Sequence, residues 1–125
     1  MAVIVVDASA LAAVIYGEPE ASRMVAALAG TELNAPLLLR AEMANICLMK
    51  SRRAAHLHTQ LFAAFDHFQH LRITYHDVAD RAAVNLAERH DLTFYDACYL
   101  WLANQLDCRL ISLDRKLLAA VASGR

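Results

Sequence analysis

Residues 2 to 6, Ala-Val-Ile-Val-Val, form a short, continuous, β-branched apolar run, and Asp7 follows with no turn residue before it. Such a run suits a strand buried on both faces, the usual state of a strand in a parallel sheet covered by helices. The small-residue pattern Ala8-Ser9-Ala10-Leu11 then begins at once and reads as a helix. A carboxylate therefore stands where a central strand ends and a helix starts. In open parallel α/β sheets, that carboxyl edge is where ligands bind. The plainer alternative is that Asp7 or Ser9 only caps the first helix.

The rest of the chain alternates in the same way, which argues for a parallel sheet with crossover helices. Strands are expected at 3–6, 32–35, 72–75 and 109–112. Helices are expected at about 9–16, 20–29, 36–50, 52–68, 77–90, 93–106 and 115–121. Gly17, Glu18 and Pro19 break the first helix, and Gly30 ends the second. Pro36 fits the first turn of the third. Leu57, Leu61, Phe65 and Phe68 form one stripe on the fourth. The helix at 93–106 is apolar nearly all round and should be buried. No linker or repeat divides residues 1–125, so one three-layer α/β/α domain is expected, with a central parallel sheet of four to five strands.

Composition narrows the function classes. The chain is 58% hydrophobic, apolar for so small a domain. A sheet covered on both faces absorbs part of that, and an exposed patch covered by a partner absorbs the rest. The formal net charge of -1 supplies no global basic field, so any nucleic-acid contact must be local. Cys47, Cys98 and Cys108 are odd in number and form no C-x-x-C pair, against a disulfide framework or zinc site and in favour of a reducing cytoplasm. No apolar run approaches the ~20 residues that span a bilayer, and Asp7 interrupts the N-terminal one.

Four acids stand out by position. Asp7 and Asp114 lie at or just past the ends of expected strands. Glu42 and Asp96 lie in the first halves of otherwise apolar helices. Charged residues are rarely buried unless paired or metal-bound. Each has a local explanation: Thr93-x-x-Asp96 reads as a capping box, Glu42 as a first-turn acid favoured by the helix dipole, and Asp114 as the cap of the last helix. Together they can also face one edge of the sheet. Clustered carboxylates repel one another, and a hard divalent cation relieves that repulsion. Such cations polarise phosphoryl oxygens and activate water for in-line displacement.

The segments Val-Val-Asp7-Ala-Ser9-Ala-Leu, Glu42-x-x-Asn45, Tyr95-Asp96-Ala97-x-x-Leu and Leu-Ile-Ser112-Leu-Asp114-x-x-Leu117 resemble those of PIN-domain ribonucleases, and more narrowly the VapC toxins of type II toxin–antitoxin pairs. Each motif alone is common; the set, in this order and over nearly the whole chain, is specific. The resemblance implies a PIN-like fold and a metal-dependent endoribonuclease that is neutralised by a cognate antitoxin. It implies Asp7, Glu42, Asp96 and Asp114 as both catalytic residues and ligands of Mg²⁺ or Mn²⁺, with Ser9, Asn45 and Ser112 as accessory polar positions. It also implies a homodimer and an antitoxin segment lying along the apolar surface of the first two helices. Ser112 departs from the threonine usual there, keeping the hydroxyl and losing the methyl.

Other features compete. His56-x-His58 and His67-x-x-His70 have no third ligand type beside them and are expected at the surface. Lys50, Arg52 and Arg53 are the one dense basic cluster and a candidate RNA contact, as is Arg40 near Glu42. Trp101 is expected in the core. The second position of a phosphatase-type D-x-D is taken by Ser9, and no Gly-rich phosphate loop exists. The alternative from another class is a catalytically inactive PIN-shaped module that binds RNA or protein.

Overall fold

The computed structural model describes residues 1–124. The elements run β1 (Ala2–Val6), α1 (Ala8–Ile15), α2 (Ala21–Leu28), β2 (Thr31–Pro36), α3 (Leu38–Arg53), a 3-10 turn (Ala55–Leu57), α4 (His58–Gln69), β3 (Ile73–His76), α5 (Asp80–His90), α6 (Phe94–Leu106), β4 (Arg109–Ile111) and α7 (Arg115–Ala122). Four strands form one parallel sheet in the order β3-β2-β1-β4. Ile4 pairs with Leu33 on one side and Arg109 on the other, so β1 is central. Its last three residues, Ile4, Val5 and Val6, are fully buried, as a run with no polar alternation requires. The outer strands β3 and β4 are only four and three residues long.

The helices α1 to α4 pack on one another, and α5 to α7 form a second group around α6. This is the three-layer α/β/α arrangement. Helix α6 touches β1, β2 and β4, and its Ala97–Leu100 stretch is buried, as its all-round apolar pattern predicts. Trp101 packs against the core with part of its surface open. Among the described residues, no helix is long and apolar enough to cross a membrane.

Three boundaries differ from expectation. Pro36 ends β2 instead of entering α3, because the Leu37 amide donates to the His76 carbonyl and prolongs the ladder. Helix α5 starts at Asp80 rather than Asp77, with Ala79 extended at φ -73°, ψ 100°. The third helix continues to Arg53, so Arg52 and Arg53 close α3 rather than open α4; the break falls at Ala54 (φ -138°, ψ 72°). Asp91 and Asp107 end α5 and α6 in the left-handed conformation, where glycine is commonest. The amides that follow, of Leu92 and Cys108, reach back to Ala87 and Ala103, 2.9 and 3.1 Å away.

Candidate active site

Asp7 and Asp114 follow β1 and β4 at the carboxyl edge of the sheet, and Glu42 and Asp96 lie near the starts of α3 and α6. Asp7 follows β1, and its amide donates to the Ile111 carbonyl of β4, 3.1 Å away. Its carboxylate is buried and accepts three hydrogen bonds. Oδ1 accepts from the Ala10 amide at 3.0 Å and from Ser9 Oγ at 2.8 Å, and Oδ2 accepts from Ser112 Oγ in a short bond. Asp7 therefore both caps α1 and belongs to the acidic group; the two readings of it are compatible.

The segment after β4 is stitched to the start of α1 by two hydroxyls. Ser9 Oγ accepts from the Leu113 amide and Ser112 Oγ from the Asp114 amide, each at 2.9 Å. Asp114 in turn caps α7 by accepting from the Leu117 amide at 3.0 Å. Together with the Ser112–Asp7 bond, these tie the start of α7, and with it Asp114, to the start of α1.

Glu42 reaches the same place from α3. Tyr99 of α6, fully buried, donates its hydroxyl to Glu42 Oε1 at 2.6 Å. A phenol buried in apolar surroundings needs a partner, and this one fixes the carboxylate of the opposite layer. Asp96 sits one turn into α6, where Thr93 Oγ1 caps the helix by accepting from the Asp96 amide at 3.1 Å.

The electrostatics show the acids as neighbours. Burial raises the Asp7 carboxyl above the ordinary aspartate range, opposed by its bonds from Ser112, Ala10 and Ser9, with the Asp114 charge adding to the rise. Burial raises Glu42 too, against the pull of Tyr99, with Asp7 and Asp96 adding. Asp96 is raised by burial, then by Asp114 and Asp7, while Thr93 and Lys116 oppose. The group thus carries uncompensated negative charge in a partly dehydrated place. Among the described residues, no three His, Cys, Asp or Glu side chains are arranged to hold a metal ion by themselves.

A groove of about 440 Å³ runs from this centre along α1 and α3. It is lined by Ser9, Asn45, Lys50 and Arg53, among others. Glu18 also lines it, 3.9 Å from Lys50, so that cation is partly answered within the protein. Arg52 is exposed on the last turn of α3. Arg40 lies elsewhere, its guanidinium 6.0 Å from the Tyr75 ring centre in a separate hollow beside Phe65 and Phe68. His56, His58, His67 and His70 are exposed. Tyr99 and Glu18 escaped the sequence reading. Tyr99 was legible only as a hydroxyl inside an otherwise apolar helix, three residues after Asp96.

The model of the PIN domain family matches residues 4–123. Ribonuclease VapC3 of Pyrobaculum aerophilum is 31% identical over 119 residues, covering 91% of this chain and 91% of that protein. The crystal structure of PAE2754, also from Pyrobaculum aerophilum, superposes with a TM-score of 0.67 at 25% identity, covering 96% of this chain and 87% of that one. VapC20 of Mycobacterium tuberculosis, a toxin that cleaves the sarcin–ricin loop, superposes with a TM-score of 0.66 at 19% identity over 94% of each chain, a likeness of fold. The family match spans nearly the whole chain, and a relative 31% identical over 91% of it agrees: this chain belongs to the PIN-domain family.

Proposed function

We propose that the chain is a VapC-type toxin, a divalent-metal-dependent endoribonuclease whose site is built on Asp7, Glu42, Asp96 and Asp114. The observation that carries the reading is placement: Asp7 and Asp114 follow β1 and β4 at the sheet's carboxyl edge, Tyr99 of α6 holds Glu42, and Asp96 lies in the first turn of that same helix. All four offer hard oxygen donors, and three have carboxyls raised by burial and by one another's charge. That donor chemistry fits Mg²⁺ or Mn²⁺, which keep several waters and so need few protein ligands. When bound, such an ion supplies Lewis-acid activation of the phosphodiester and of water.

The chain's own groups do the remainder. Ser9, Ser112 and the Ala10 amide hold Asp7 in one rotamer. Tyr99 engages one oxygen of Glu42 and leaves the other for the site. Asp96, the half-exposed acid on α6, would accept the proton from the attacking water and give it up to the leaving 3′ oxygen. The bond between phosphorus and the 3′ oxygen breaks, leaving a 5′-phosphate and a 3′-hydroxyl, with no part for the 2′-hydroxyl. Ser9, Asn45, Lys50 and Arg53 guide the RNA backbone along the groove, and Arg52 extends the basic end.

We assign the exposed apolar side chains of this half, Val25, Leu48 and Met49, to cover by a cognate antitoxin or a second copy of the chain, in the cytoplasm. The test is cleavage of an RNA pool with Mn²⁺ by the wild type, Asp7→Asn and Asp96→Asn. Asparagine at position 7 keeps an oxygen for the helix cap, and circular dichroism selects variants that are folded. Loss of cleavage in both folded variants is expected. Undiminished turnover in either removes that residue from the mechanism. A rise in melting temperature with Mn²⁺ in the wild type, reduced in both variants, reports the ion apart from activity.

A further inference from the structure

We propose that the hollow beyond the carboxyl ends of β2 and β3 is a nucleobase subsite that takes an unpaired guanine next to the cleaved phosphodiester. This rests on the nuclease reading for its place in a reaction, but not for its chemistry.

The hollow has a volume of about 350 Å³, and Leu38, His76, Asp77, Asp80, Phe94 and Cys98 are among its lining residues. One of them ties it to the acidic centre: Leu38 lies one helical turn before Glu42 on α3. Phe94 and Cys98, four residues apart on α6, line it from one face of that helix. The basic groove begins at Ser9 and Leu113, on the β1 and β4 side of the acids. The hollow lies on the β2 and β3 side. A strand of RNA crossing the carboxyl edge would leave the cationic groove, pass the acids and enter the hollow.

The lining decides what fits. It contains no lysine or arginine, so a phosphate is excluded. Asp77 and Asp80 supply carboxylate acceptors. His76 is held in place by a chain of bonds. Asn34, buried in β2, donates its amide nitrogen to the carbonyls of Ile4 and Glu32, at 3.4 and 3.2 Å. Its oxygen is thereby left to meet His76 Nε2, 2.8 Å away. A hollow walled by Leu38 and Phe94 and rich in acceptors suits a flat, uncharged, donor-bearing group. Splayed bases stacked on aromatic rings and read along their polar edges are the common form of sequence-specific RNA recognition. Guanine offers two adjacent N–H donors on one edge, which match a carboxylate; uracil offers one.

The test is fluorescence anisotropy with the full chain in EDTA, so that no cleavage occurs. The probes are a labelled hexauridylate and the same oligomer carrying one central guanosine. The wild type should bind the guanosine oligomer roughly tenfold more tightly, the discrimination a carboxylate–base pair supplies. Asp77→Asn and Asp80→Asn should bring the ratio towards one while leaving hexauridylate affinity within about twofold. A ratio of one in the wild type, a ratio unchanged in both variants, or no binding of either oligomer overturns the proposal. So does a ratio of one together with competition by arginine amide, which would mark the hollow as a seat for a protein cation. A guanosine preference in a chain that cleaves no RNA would instead sink the nuclease reading and leave this one standing.

Discussion

Replacing Ser112 by alanine removes one oxygen that serves two partners. In the native chain it donates to Asp7 Oδ2 and accepts the Asp114 amide at 2.9 Å, in a place where Ser112 itself is only 7% exposed. Losing a hydrogen bond to a carboxylate costs about 1.5–3 kcal/mol, and leaving a shielded amide without an acceptor costs about 1–3 kcal/mol. The two losses overlap, since water can enter the vacated space, so we expect about 2–4 kcal/mol in all, or a fall in melting temperature of roughly 10 °C. The cost should grow as pH rises, because Ser112 stabilises the charged form of Asp7 and its removal lifts that carboxyl further. Ser112→Thr restores the oxygen and should recover most of the loss. The assay is chemical denaturation of the wild type, both variants, and Ser112→Ala in an Asp7→Ala background. In that background the Ser112→Ala cost should shrink by about half, because one of the two partners is already gone. A Ser112→Ala cost below about 0.5 kcal/mol, or costs that simply add, would refute this account of how Asp7 is held.

Stability should also respond to pH and metal together. Asp7, Glu42 and Asp96 all have raised carboxyl pKa values, so the folded chain binds their protons more tightly than the unfolded chain does. Stability from these groups is therefore lost as pH rises from the ordinary carboxylate range through the raised values. Melting curves between about pH 4 and pH 7.5 should show that decline without metal, less of it in Glu42→Gln, and a flatter profile with Mn²⁺; a metal-free profile that does not differ between wild type and Glu42→Gln would contradict it. For RNA binding, Arg53→Ala should lower the slope of log affinity against log salt by about one, and Arg40→Ala should leave it unchanged, since Arg40 faces Tyr75 outside the groove. Equal effects of the two variants would remove the groove from the RNA path.

The sequence made the strands and the acids visible for the same reason: a β-branched run with no polar alternation has few environments open to it, and a carboxylate at its end stands out. Boundaries without punctuation were hidden. Nothing but Ala54 separates α3 from the 3-10 turn, and alanine is the best helix former, so the break could not be read from composition. The ends of α5 and α6 fell where expected, at His90 and Leu106, although aspartate takes the place of the usual glycine. Pairing across layers was beyond reach altogether. Tyr99 reads as core from its neighbours, and only the packing of α6 near α3 reveals that its hydroxyl meets Glu42, 57 positions away. Arg40 looked close to the site because it is close to Glu42 in sequence, but a two-residue step along a helix turns a side chain to another face.

The brevity of β3 and β4 bears on how such an apolar chain stays dispersed. They are the two margins of the sheet, and at four and three residues they expose few free backbone groups to a passing strand. Growth by adding strand to strand, the route by which sheet proteins become fibrils, is closed off by length alone. Any company this molecule keeps must be chosen through its side chains, and so can be tuned one substitution at a time.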